Sequence, residues 1–151
     1  MKRMHTKFLP PTYFTLSMLF SIVSHFLFPM AHVVPEPFNY LGFILVVVGA
    51  GLNIWTDALF KKEKTTVKPH EMPTTLLVSG PFKVSRHPMY LGMVIILLGL
   101  FLYLGSLITL VYPVVFFLLM ERLFIPVEEK NLEMSFGPEY HKYRAKVHRW
   151  I

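Results

Sequence analysis

The sequence predicts an all-α integral membrane protein: four transmembrane helices in two hairpins, plus a cytoplasmic C-terminal amphipathic helical segment. Three observations lead there. Of 151 residues 54% are hydrophobic and 16% charged, against about 25% charged in soluble domains, and mean hydropathy is +0.50. The apolar residues fall in runs approaching the length of a bilayer crossing. All fifteen lysines and arginines lie before the first run, between the second and third, or from Arg122 onward.

The first span is read over Tyr13–Phe28, after Lys2, Arg3, Lys7 and Pro10-Pro11, and it stops at Pro29. A basic start before an apolar run also suits a signal peptide, but no small-residue cleavage pattern follows. Val33–Asn39 carries Pro35 and Pro37 and no basic residue, as an outer turn would. Tyr40–Phe60 is the second span; 21 residues at ~1.5 Å each reach about 31 Å, the thickness of a hydrocarbon core. Gly42, Gly49 and Gly51 would let a neighbouring helix approach closely. Asn53 and Asp57 share a face, and Asp57 lies near enough to the end to reach water.

Residues 61–88 form a polar loop with Lys61, Lys62, Lys64 and Lys68, in which Pro69 and Pro73 oppose a long helix. His70-Glu71 lacks a second pair at ligand spacing, so no metal site is expected. Pro88–Tyr103 and Ser106–Phe124 are the third and fourth spans, joined near Leu104-Gly105. Gly92 and Gly99 fall on one face, and Pro113 is expected to kink the fourth helix. From Pro126 the chain turns polar, and Phe136-Gly137-Pro138 interrupts it. Phe136, Tyr140, Tyr143, Val147 and Trp150 then recur at helical spacing beside Lys142, Arg144, Lys146 and Arg149. Such a helix lies on an anionic membrane surface or caps a bundle.

The positive-inside rule puts both termini and the 61–88 loop in the cytoplasm, which requires an even number of spans. The whole chain, 1–151, is read as a single membrane-embedded domain: a two-span hairpin over 1–60, the loop over 61–88, and a motif-bearing core with a C-terminal cap over 89–151. With no cysteine, disulfides, thiolate metal sites and cysteine nucleophiles are excluded. The +6 net charge includes no basic run of the nucleic-acid-binding kind.

The stretch Leu76–Gly92 concentrates the chemistry. Gly80-Pro81 is a turn signal, and Pro88 suits the first turn of a helix. Arg86, His87 and Tyr90 therefore gather where a water-facing loop becomes an apolar helix, and free N–H groups at that helix start attract anions. Arginine and tyrosine also serve as plain interfacial anchors. Glu128-Glu129 is a second polar cluster on the same side, although acids favour first turns of helices anyway. A pocket between the clusters would offer cation, imidazole, aromatic face and carboxylate to a zwitterionic, amphipathic cofactor.

Four motifs occur in order: Leu-Val-Ser-Gly-Pro-Phe (77–82), Arg-His-Pro-Met-Tyr-Leu-Gly (86–92), Glu-Glu-Lys-Asn-Leu (128–132) and Phe-Gly-Pro-Glu-Tyr-His-Lys-Tyr (136–143). Together they resemble the isoprenylcysteine carboxyl methyltransferase family and its phospholipid N-methyltransferase relatives, over roughly residues 74–150. The resemblance implies a membrane methyltransferase that uses S-adenosyl-L-methionine on a lipophilic acceptor (carboxylate, thiol or amine) at the inner leaflet. Carried over, the cofactor-binding residues are Leu76, Leu77, Phe82, His87, Pro88, Met89, Tyr90 and Glu128, with Arg86 and Glu128 as the catalytic pair. Membrane lipids and a lipophilic small-molecule or lipidated substrate are the implied partners. The chain lacks the extra spans of the eukaryotic enzymes, which points to a prokaryotic cytoplasmic membrane. One position departs from the pattern. The family's arginine four residues before the glutamate is Phe124 here, and Arg122 lies about 200° away on an ideal helix. A non-catalytic scaffold or lipid-binding bundle, or a sterol-reductase-like NADPH enzyme, would share the spans.

Overall fold

A computed structural model describes residues 9–28 and 31–151, and every regular element among them is helical. The basic start at Lys2, Arg3 and Lys7 and the stop at Pro29 lie outside the described residues. Helix α1 (Pro10–Leu27) begins three residues before Tyr13 because proline, which blocks a helix interior, is at home in the first turn. Tyr13, Phe14 and Met18 pack on the core, with the Phe14 ring edge-on to Phe116. The following turn bonds to the far hairpin: Val33 N–H donates to Gly105 O (2.8 Å) and Leu107 N–H to Ala31 O (3.3 Å).

Helices α2 (Tyr40–Lys62) and α3 (Pro88–Leu104) form the most closely packed pair among the described residues. A Cβ on Gly49 would stand 2.6 Å from Gly92 O, and one on Gly99 2.6 Å from Gly42 O. The seven-residue spacing on each helix thus matches, and the two backbones touch where side chains are missing. Asn53 fills the groove against Gly92. Asp57 pairs with Lys61 at 2.6 Å on the exposed end of α2, the solvated helix terminus anticipated for it.

Leu107–Arg144 is a helical rod with one bend, at Gly137. It opens as a tight 3₁₀ turn (Leu107–Leu110), becomes α4 (Val111–Leu119), widens into a π turn (Met120–Phe124) and continues as α5 (Ile125–Arg144). Pro113 lies in the first turn of α4, where little N–H bonding is forfeited. The polar switch at Pro126 does not end the helix; the wide turn just before it provides the slack that proline's ring and missing N–H demand. The interruption at Phe136-Gly137-Pro138 is present: Gly137 takes φ +43°, a left-handed backbone that favours glycine, and bends α5.

The C-terminal helix is shorter than its apolar period predicts. Helix α5 stops at Arg144, and the last residues run back across the molecule. Phe136, Tyr140, Tyr143 and Val147 pack with Leu77 and Phe82, while Trp150 joins the other core cluster around Phe116 and Met120. The stripe is interior packing shared between two clusters. By length and composition, α2 and the 107–144 rod are able to cross a membrane; α3 is apolar but has 17 residues.

Candidate functional site

The loop before α3 meets the first turns of α5 between the two core clusters. Gly80 (φ +57°) turns the chain into the short 3₁₀ helix Gly80–Lys83. Tyr143 Oη donates to Phe82 O at 2.7 Å and pins this turn to α5. Ser85 Oγ accepts from His87 N–H (3.2 Å), and Pro88 opens α3 with His87 at its cap. Arg86 and His87 are thereby driven inward, and both are buried.

Glu129 is the hub. Its Oε1 takes Arg86 Nη2 at 3.0 Å, Arg149 Nε at 3.1 Å and His87 Nε2 at 3.4 Å, and its Oε2 takes Arg149 Nη2 at 2.6 Å. Arg149 Nη1 also reaches Glu121, whose other oxygen accepts from Trp150 Nε1 at 2.9 Å. Glu128 lies beside this network and outside its centre: its Oε2 is 3.5 Å from His87 Nδ1, and its side chain is 27% exposed against 8% for Glu129. The His87 ring stacks on Tyr90 (centroids 5.8 Å apart, planes 10° apart).

Burial opposes a charge on His87, but the Glu128 and Glu129 carboxylates that face its ring outweigh burial and raise its pKa above the ordinary 6.5. Burial also works against ionised Glu129. Hydrogen bonds from His87 and Arg149 and the charge of Arg86 win, holding the carboxyl to about 2. Two guanidiniums (Arg86, Arg149) and the His87 imidazole therefore face three carboxylates (Glu121, Glu128, Glu129), an arrangement with partners for both signs of a ligand.

Two adjoining cavities, about 490 Å³ and 280 Å³ including their open mouths, share Phe60, Phe82, Arg86 and Glu128 as walls. Leu76 and Leu77 line the larger; His87, Pro88, Met89 and Tyr90 line the smaller. The residues singled out in the sequence thus gather around one space. Arg86 Nε and Nη1 are buried without a hydrogen-bond partner, while His87 Nδ1 and Glu128 Oε2 have only their 3.5 Å contact with each other. Each such atom costs about 1–3 kcal/mol if left unmet. Donors of a guanidinium and an acceptor of a carboxylate at one space fit the carboxylate and ammonium of an amino-acid-bearing cofactor.

Phe124 is fully buried, edge-on to the Tyr13 ring. Arg122 is exposed and lines neither cavity, so it does not stand in for an arginine at position 124. Sequence reasoning missed Glu121, Glu129, Arg149 and Trp150 as members of the site. Glu129 was visible only as half of an acidic pair. Arg149 and Trp150 were absorbed into a helical periodicity that the tail does not follow.

The family described as phospholipid methyltransferase matches residues 38–139. The chain belongs to this family. An uncharacterized protein of Haemophilus influenzae is 40% identical over 63 residues, which are 42% of this chain and all of that protein. A probable protein-S-isoprenylcysteine O-methyltransferase of rice (Oryza sativa subsp. indica), and its counterpart in subsp. japonica, are 30% identical over 115 residues, 73% of this chain. The chain spans 59% of the length of these rice proteins. The family match begins just before α2 and ends inside α5, short of Arg149 and Trp150.

Proposed function

We propose that the protein is an integral membrane methyltransferase that moves a methyl group from S-adenosyl-L-methionine to a lipophilic acceptor at the inner leaflet. Helices α1–α4 with the π turn form four spans as two hairpins, and both termini and the 61–88 loop are cytoplasmic. Exposed Phe20, Phe26, Phe43, Ile44, Val47 and Ile54 support lipid contact on α1 and α2, since in water they would present a wide apolar surface.

The observation that carries the reading is the pair of unpartnered buried donors on Arg86, with the loosely paired Glu128 carboxylate beside them, around the two cavities. Arg86 Nε and Nη1 would hold the cofactor's carboxylate, and Glu128 would accept from its ammonium group, both charge-assisted bonds. Phe82 and Tyr90 offer ring faces to a sulfonium, and Leu76 and Leu77 form an apolar wall. When bound, the cofactor supplies an electrophilic methyl group. This chain's residues supply alignment and exclude water. A carboxylate or thiolate acceptor needs no general base. An amine must lose a proton, and His87 or Glu128 is then the base.

Calorimetry with S-adenosylhomocysteine on protein in nanodiscs tests the site. Wild type should bind, and Glu128→Ala and His87→Ala should weaken binding about tenfold or more while leaving the protein membrane-inserted. Binding of NADPH instead would favour a reductase, and binding of neither a non-catalytic bundle. Transfer of labelled methyl groups into a total lipid extract identifies the acceptor.

A further inference from the structure

The last five residues form a clasp across the site. Arg86 N–H donates to His148 O at 3.1 Å, and Ser85 Oγ donates to Arg149 O at 3.1 Å, so the tail backbone holds both residues that precede His87. Arg149 binds both oxygens of Glu129 and reaches back to Glu121. Trp150 bonds the other Glu121 oxygen and packs its ring 4.6 Å from Phe117. Six hydrogen bonds therefore connect the tail to the loop before α3 and to the rod.

A consequence follows for Arg86. Glu129 alone beside Arg86 would form a one-to-one pair and draw the guanidinium into a forked bond. Arg149 already occupies Oε2 and shares Oε1, which leaves Arg86 a single contact, through Nη2. Its Nε and Nη1 stay without protein partners on a residue that walls both cavities.

We propose that Arg149 is a positioning residue: by saturating Glu129 and tying the tail to Ser85 and Arg86, it keeps two Arg86 donors available to an anionic group of the bound cofactor. This rests on the functional reading above. Arg149 itself lines neither cavity, so it acts through Glu129 and Arg86.

The test is binding of S-adenosylhomocysteine to full-length protein in nanodiscs, with a double-mutant cycle. Arg149→Ala should weaken binding about tenfold or more. Arg149→Lys restores the charge without the planar fork and should recover part of the loss. The Arg86→Ala, Arg149→Ala double variant should bind no more weakly than Arg86→Ala alone, because the second residue works through the first. A second readout needs no cofactor: with Trp55→Phe, Trp150 is the one remaining tryptophan. Its emission should shift to the red when Arg149→Ala opens the clasp. Wild-type affinity in Arg149→Ala, or losses that multiply in the double variant, would overturn the proposal, since a purely structural role predicts multiplication. If Arg149→Ala does not fold, Arg149→Lys combined with Arg86→Ala carries the same cycle. Failure of the wild type to bind overturns the functional reading itself, and the two failures are distinct.

Discussion

His87 sits between two carboxylates, one on each ring nitrogen, and this decides how the site responds to pH. Its folded pKa is raised above 6.5, so the stability it contributes is fully present below 6.5 and is lost as pH rises through the folded value. Glu129 behaves oppositely. Its folded pKa is depressed, so its contribution is present above the ordinary 4.5 and is lost as pH falls toward about 2. Thermal unfolding in detergent should therefore show a maximum between about pH 4.5 and 6.5. His87→Gln should flatten the alkaline limb and leave the acid limb. An alkaline limb of unchanged height in that variant would mean that another group titrates. The pair Glu128-Glu129 shows why single residues are hard to read from sequence. Two identical neighbours divide the work: one buried and locked by arginines, the other half-open beside a cavity.

At the scale of elements, helix pairing and helix continuity do the positioning. The α2–α3 seam depends on backbones in contact, so Gly49→Ala should destabilise by about 1–3 kcal/mol through overpacking. Gly51→Ala on the same helix has nothing within 4 Å of the new Cβ. It should be neutral, or stabilise by up to about 1 kcal/mol through helix propensity. Equal effects at the two sites, measured by unfolding in detergent, would contradict the seam. The π turn has a different role. Glu121 and Glu129 are eight residues apart, about 80° around an ideal α-helix; one residue absorbed by a wide turn cuts that to about 20°. Both carboxylates then face Arg149. Glycine spacing could be read directly from the chain, because equal spacing on two helices is a linear pattern. The wide turn could not, since it arises where Pro126 and buried Phe124 constrain the same stretch of rod.

For the whole molecule, the proposed arrangement puts the site, the 61–88 loop and the clasp at one end, and the two turns without basic residues at the other. The natural absence of cysteine makes this directly measurable. In intact cells an impermeant maleimide should label Glu36→Cys, in the exposed outer turn, and should label Lys62→Cys only after permeabilisation. The reverse pattern would invert the topology and move the site to the outer face.

Composition and charge patterning carried the helical class, the apolar runs and the family motifs, because each is a local property of consecutive residues. Helix-start chemistry marked Arg86 and His87, whereas Glu128 was singled out from the acidic pair only by the resemblance of the motifs. The meeting of those residues with Arg149 and Trp150 was decided only in three dimensions. The tail abandons its helical period after Arg144 and crosses to Glu121 and Glu129, because buried carboxylates gain more from a guanidinium than an exposed helix turn gains from continuing. Periodicity records what a segment could do alone, whereas ion pairing between distant segments depends on which charges the fold has already buried.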